Sequence, residues 1–189
     1  MAKKTRIPVD AYQLKITLHG SKPPIWRRFV VPANIPLDRL HDVIQIVKGW
    51  SDSHLHAFVI DNEYYEAMSK DGEPLDAEGL DERKFRLNEV VGKVKTKFRY
   101  DYDFGDNWEH VLLLEKIIPA AQNPATPVCS AGRGACPAED CGGIWGYYEL
   151  LDILADPSHP EHEERKKWVG GIIDPDEFDL EEINKALRR

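Results

Sequence analysis

Three cysteines, Cys129, Cys136 and Cys141, are the only ones in a chain of 189 residues, and they fall within thirteen positions. Thiolate sulfur is a strong ligand for zinc, and a tetrahedral site built on three thiolates takes its fourth donor from elsewhere in the chain. Six residues and then four separate the cysteines, so the spacing is not that of a C-x2-C knuckle. The fourth donor then falls to a histidine: His110, His159 or His162 near in sequence, or His54 and His56 farther away. Two other readings stay open beside zinc. Cysteine packs as a small hydrophobe in a tight glycine-rich loop, and it serves as a redox or nucleophilic thiol where a base lies within reach.

Carboxylates gather at two places: Asp101, Asp103, Asp106 and Glu109 in one stretch, Glu139 and Asp140 between the last two cysteines. Paired carboxylates can hold a hard cation or carry out acid-base work. The D-x-[DN]-x-[DN]-G order of a calcium loop is missing, and capping a turn is the commoner duty of such residues. His54 and His56 are i,i+2 neighbours, a spacing that chelates one metal from a single strand face or else leaves two satisfied rings on a sheet. The candidate site is therefore Cys129, Cys136, Cys141, His54, His56, His110 and His162 for metal, with Asp103, Asp106, Glu139 and Asp140 beside them.

These residues need elements to position them. Tyr12, Leu14, Ile16 and Leu18 alternate with polar residues and predict a strand; Ile25 to Val31 predicts its antiparallel partner. Pro36 opens a helix in which Leu37, Leu40, Val43, Ile44 and Val47 recur at helical spacing up to Gly49. His54 to Ile60 and Glu63 to Glu66 read as two short strands around Asp61 and Asn62, and Lys70 to Glu82 as a solvated loop. Val94 to Tyr102 and Trp108 to Ile118 read as a hairpin across Asp103-Phe104-Gly105-Asp106-Asn107, with Gly105 supplying the positive φ. Pro119 to Gly143 breaks every periodicity and is expected to be an irregular loop.

Helices are expected again at about Gly146 to Ala155, from Ser158 with Glu161 as a capping box, and from Asp179 with Glu182 onward. This order does not alternate strand with helix, so the expected class is α+β, a mainly antiparallel sheet with one packed helix after the first two strands and a C-terminal group of helices. One domain is expected over residues 1–189, with its core at about 12–187 and the irregular loop at 119–143.

With 25 basic against 33 acidic residues the net charge is −8, which disfavours binding of duplex nucleic acid. Short basic groups at Lys22, Arg27 and Arg28, and at Lys93, Lys95, Lys97 and Arg99, are the exceptions. Trp26, Trp50, Trp108, Trp145 and Trp168 are scattered and read as core and helix-packing residues, not as a stacking platform. No run approaches the ~20 apolar residues of a membrane helix, and the expected location is cytoplasmic. G-x-S-x-G, H-E-x-x-H and Walker-type motifs are absent from the sequence, which removes the commonest hydrolase, metalloprotease and nucleotide-hydrolysing readings.

Several strings occur together. Ile25-Trp26-Arg27-Arg28, Leu40-His41-Asp42-Val43-Ile44-Gln45, Gly49-Trp50 with His54-Leu55-His56-Ala57-Phe58, and Tyr102-Asp103-Phe104-Gly105-Asp106-Asn107-Trp108-Glu109-His110 come first. Cys129, Gly132, Gly134 through Pro137, Glu139-Asp140-Cys141-Gly142-Gly143, Gly146-Tyr147, Asp156-Pro157, His162-Glu163, Asp174-Pro175 and Phe178-Asp179 follow. In this order they resemble the plasmid Ri open-reading-frame-three-like family, from about Tyr12 to Leu187. The resemblance implies a single α+β domain of bacteria and archaea with no assigned reaction.

The first expectation is a non-enzymatic cytosolic binding or interaction domain whose cysteine loop is organised by zinc. The alternatives are a metal- or thiol-dependent enzyme using that loop with the Asp103 to His110 hairpin, and a nucleic-acid-binding protein of mobile elements, the last set against the adverse charge.

Overall fold

The computed structural model describes residues 9–69, 79–122 and 127–189. Among these, eight strands form one sheet: β1 (Ala11–Leu18), β2 (Trp26–Pro32), β3 (His56–Ile60), β4 (Glu63–Glu66), β5 (Leu80–Asp81), β6 (Lys97–Tyr102), β7 (Trp108–Ile118) and β8 (Val128–Arg133). Their order is β5-β4-β3-β6-β7-β1-β2-β8. Every neighbouring pair is antiparallel except β4 with β5. Five helices accompany the sheet among the described residues: α1 (Leu37–Lys48), α2 (Leu87–Val90), α3 (Gly143–Ala155), α4 (His162–Val169) and α5 (Leu180–Ala186). The class is α+β, as the order of elements predicts. No helix among the described residues is long and apolar enough to cross a membrane.

The period-two pattern of β1 puts Leu14, Ile16 and Leu18 into the core, while Lys15 and Thr17 point to the half-exposed face. Helix α1 lays Leu37, Leu40, Val43, Ile44 and Val47 against the same core. It stops at Gly49 in a Schellman arrangement: Gly49 takes φ 75°, its N–H donates to Ile46 O, and the N–H of Trp50 donates to Gln45 O. Asp61 and Asn62 both take left-handed φ, as a tight two-residue turn between β3 and β4 demands.

Several expectations need correction. Val128–Arg133 lies inside the stretch expected to be irregular, yet it is a strand at the sheet edge, paired with β2. Ser130, Ala131 and Gly132 carry no apolar alternation because the edge is covered from outside: the Asn184 amide accepts from the N–H of Cys129 and donates to its carbonyl, taking the place of a neighbouring strand. In the β6–β7 turn the left-handed residues are Asp103 and Asn107, each at φ 55°, not Gly105. The Asp103 carboxylate accepts from the N–H groups of Gly105 and Asp106, a local bond that lets an aspartate take this conformation. Strand β6 starts at Lys97, leaving Val94 exposed.

Of the loop expected at 70–82, residues 70–78 lie outside the described residues; Leu80–Asp81 pairs with β4, and Glu82–Lys84 forms one 3-10 turn. Ser158 forms no capping box, since both its N–H and hydroxyl go to Asp156 and α4 begins only at His162. Trp145 and Trp168 are exposed rather than core residues, because they stand on the outer sides of α3 and α4.

Gly143 opens α3 at φ 69°, and a Cβ there would sit 2.4 Å from the Asp106 carbonyl oxygen, so the β6–β7 turn is seated directly on this helix. Gly49 has the same hand of φ but open space around it. Gly49→Ala is expected to cost about 1 kcal/mol from backbone strain alone, and Gly143→Ala at least about 2 kcal/mol more. Urea midpoints of the two variants check this, and equal losses would contradict the seating of the turn on α3.

Candidate metal centre

Helix α1 buries a second stripe beside its apolar one. His41, Gln45 and Lys48 recur at i, i+4 and i+7 and are all nearly inaccessible. A buried polar side chain must find a partner. The first two share Tyr100, on β6: Gln45 Nε2 donates to the phenol oxygen at 3.0 Å, and His41 Nδ1 lies 2.8 Å from it. Gln45 Oε1 also accepts the Asp52 N–H, which fixes the bend after α1 where Asp52 takes φ 57°.

This bend brings the Asp52 carboxylate to 2.8 Å from His41 Nε2. His56, the first residue of β3, stacks on His41 with ring centroids 3.5 Å apart and an interplanar angle of 6°. Its Nε2 is 2.9 Å from the carboxylate of Glu82, itself buried. One ligand atom each of His41, Asp52 and His56 lies within 4.8 Å of the others. These residues, with Glu82 and His54, line a solvent-open groove of about 380 Å³.

The electrostatics suit neutral imidazole. Burial pushes the His41 ring below the ordinary histidine range, the adjacent His56 adds to this, and the bond to Asp52 partly opposes it. Burial also lifts the Tyr100 phenol well above its usual range. The neutral phenol receives the Gln45 N–H, and its own proton goes to His41 Nδ1. The His41 proton is then on Nε2, facing Asp52, the atom a metal would replace. In that exchange Nδ1–H would turn to donate to Tyr100, the second bond that orients a ligating histidine.

A second cluster joins the turn to the cysteine segment through His54. Its Nδ1 is 3.7 Å from Asp103 and its Nε2 3.3 Å from Asp140, and these three form the other close ligand group. Asp106 and Glu139 hold the segment in place. Asp106 accepts the Gly142 N–H, while Glu139 accepts from Ser51 and from the Tyr102 hydroxyl. Trp50 adds a bond from its indole N–H to Pro137 O.

The structure thus gathers His54, Asp103 and Asp140 from the sequence candidates and puts His56 in the neighbouring cluster. It does not gather the thiols: among the described residues no close ligand group contains a cysteine. Cys129 is buried in β8, Cys136 sits against Arg27, and Cys141 precedes α3. Burial, with Asp106 and Asp140 nearby, pushes the Cys141 thiol up to about 12. His110 lies in the core with Nδ1 on Tyr100 O, and His162 ties α4 to α3 through Ile153 O. Of the basic residues, Arg28 is paired with Glu115 and Arg99 with Asp101, while Arg27 is buried.

Sequence reasoning missed His41, Asp52 and Glu82. A histidine placed one residue after Leu40 in the buried stripe of α1 was the one available signal; the two carboxylates carry none.

A family model described as plasmid pRiA4b ORF-3-like protein matches residues 10–182. The chain belongs to the plasmid pRiA4b ORF-3-like family. Among members of this kind, the uncharacterized protein y4hQ of Sinorhizobium fredii is 39% identical over 180 residues, covering 93% of this chain and 89% of its own length. The crystal structure of MM3350, a protein of unknown function from Methanosarcina mazei Go1, is 37% identical and superposes with a TM-score of 0.79 over 90% of this chain and 96% of its own. The fold of this pRiA4b ORF-3-like chain is therefore also seen in an archaeal protein.

Burial holds His110 well below the ordinary histidine value of 6.5, as it does His41 to a lesser degree. The unfolded chain therefore binds more protons than the folded one once the pH falls toward that value, and stability falls with it. The urea midpoint is expected to drop between about pH 7.5 and 5.5, before the carboxylates titrate. A level midpoint across that window would contradict the neutral assignment of both rings.

Proposed function

We propose that this chain is a divalent-metal-binding protein in which His41 and His56 give imidazole nitrogen, and Asp52 and Glu82 carboxylate oxygen, to one ion in the groove. The observation that carries this reading is the stacked pair of rings whose Nε2 atoms each face a carboxylate, with His41, Asp52 and His56 offering donors within 4.8 Å. A purely structural histidine needs one partner at each polar nitrogen. Here His41, Asp52 and His56 bring one donor atom each within 4.8 Å of the others, and Glu82 adds a carboxylate 2.9 Å from His56 Nε2.

Mixed nitrogen and oxygen donors favour a first-row ion of the zinc type over calcium or magnesium, which prefer oxygen alone. On this reading the zinc expected at the cysteine loop would sit in the groove instead. Tyr100 and Gln45 would hold the His41 ring in line, a role in which outer partners commonly matter about 10- to 100-fold to affinity. The groove is open to solvent, so an ion there would keep room for water or a small ligand. The reading is one of binding, and the second cluster at His54 would stand as the polar wall of the same groove.

Calorimetric titration with Zn²⁺ tests it. About one ion per chain should bind, with affinity falling at lower pH as the imidazoles take up protons. Asp52→Asn, at an exposed position that packing does not depend on, should weaken binding at least about tenfold, and Cys129→Ala and Cys136→Ala should leave it unchanged. Loss of binding in the cysteine variants with Asp52→Asn unaffected would return the ion to the thiols.

A further inference from the structure

Strands β3, β4 and β6 give one face to the core, where Phe58, Tyr65 and Tyr100 lie opposite one another. The alternation of side chains sends their neighbours to the other face. One row there is Glu66, Ala57 and Asp101, and the next is Tyr64, Val59 and Arg99. Ala57 is the smallest of the six, so the sheet surface is hollow between the two carboxylates. Leu55, just before β3, and Phe104, in the β6–β7 turn, close the end of this hollow. With Ala57, Tyr64, Glu66, Arg99 and Asp101 they line a cavity of about 420 Å³, which is within the size range of small-molecule sites.

The floor of the cavity is acidic and its rim apolar. Asp101 is 9% exposed; its Oδ2 accepts from Arg99 Nε at 2.9 Å, while Oδ1 is buried without a hydrogen bond. A buried acceptor left without a donor is costly, and most so on a charged group. Burial lifts the Asp101 carboxyl above its ordinary range, Arg99 opposes this, and Glu109, opposite Asp101 on β7, adds to it. Glu66 is buried as well, so Arg99 is the one cation lining the cavity against two carboxylates. At the rim, Leu55, Tyr64 and Phe104 are three of the seven large hydrophobic side chains exposed among the described residues. Their convergence on one cavity sets them apart from apolar residues scattered singly over a surface.

We propose that this cavity binds small organic amines, the protonated nitrogen donating to Asp101 Oδ1 and an apolar body lying among Leu55, Tyr64 and Phe104. An ammonium supplies both things the floor lacks, an N–H for the orphaned oxygen and a positive charge against the excess of carboxylate. A neutral alcohol supplies only the first, and a carboxylate ligand neither. The rings of Tyr64 and Phe104 favour a cation too, through the negative faces of their π systems. The site lies on the sheet face away from the stacked His41 and His56 rings and does not depend on an ion there.

The test titrates the full chain with benzylamine at about pH 7 and follows backbone amide shifts by NMR, with EDTA present so that no ion in the metal groove takes the amine. Shifts should concentrate at Ala57, Asp101 and Phe104, and benzyl alcohol, the neutral analogue, should bind at least about tenfold more weakly. Asp101→Asn keeps the shape of the side chain and removes its charge, and should weaken the amine by about tenfold. Phe104→Ala, at an exposed position, should weaken it by about threefold. Equal affinity for the alcohol, unchanged affinity in Asp101→Asn, or no saturable shift at these amides would overturn the proposal. Should Asp101→Asn fail to fold, the comparison of the two ligands on the wild-type chain decides alone.

Discussion

Helix α1 must cover the sheet while burying three polar side chains, and the rest of the molecule is arranged around that constraint. Its apolar stripe needs nothing beyond the core. His41, Gln45 and Lys48 each need a partner in a region where water cannot serve. Tyr100 meets two of them from the middle of the sheet, so the phenol fixes the rotation of the helix against β6. Gln45 then reaches past the C-terminus of α1 to the Asp52 N–H and sets the bend of the chain that follows. Lys48 finds the ring of Trp50 and the neighbourhood of Cys136, which draws the segment after β8 over the end of the helix.

The groove is a consequence of the same bend. Once Asp52 is fixed, its carboxylate faces His41; once β3 begins at His56, that ring has no place except against His41. Burial, with the stacked His56 ring 3.5 Å away, pushes His41 below the ordinary histidine range, and the carboxylates of Asp52 and Glu82 lie 2.8 and 2.9 Å from the two Nε2 atoms. Imidazole nitrogens with carboxylates at hand form a mixed nitrogen and oxygen donor set, the set on which the proposed ion rests.

Much of the fold was legible because it rests on short-range pattern. The alternation in β1, the spacing of Leu37 to Val47, the Asp61-Asn62 turn and Asp179 at the start of α5, where its carboxylate accepts from Glu181 and Glu182, are all local signals. Strand β8 was not legible, since its pairing depends on Asn184 more than fifty residues away. The site divides in the same way. His54, Asp103 and Asp140 met because the turn and the cysteine segment each carry visible polar clusters. His41 was hidden by its neighbours in the apolar stripe, and Glu82 by a stretch with no periodicity. Nearness of the three cysteines in sequence did not make a ligand group: among the described residues no close set of three metal-ligating side chains contains a thiol.

X-ray absorption at the zinc edge of the loaded protein separates the two ligand sets most directly, because sulfur and the lighter donors lie at different distances. An ion held by His41, His56, Asp52 and Glu82 gives a single nitrogen and oxygen shell at about 2.0–2.1 Å with the multiple scattering of imidazole. A sulfur shell at about 2.3 Å would place the ion on the cysteines and contradict this account of the groove.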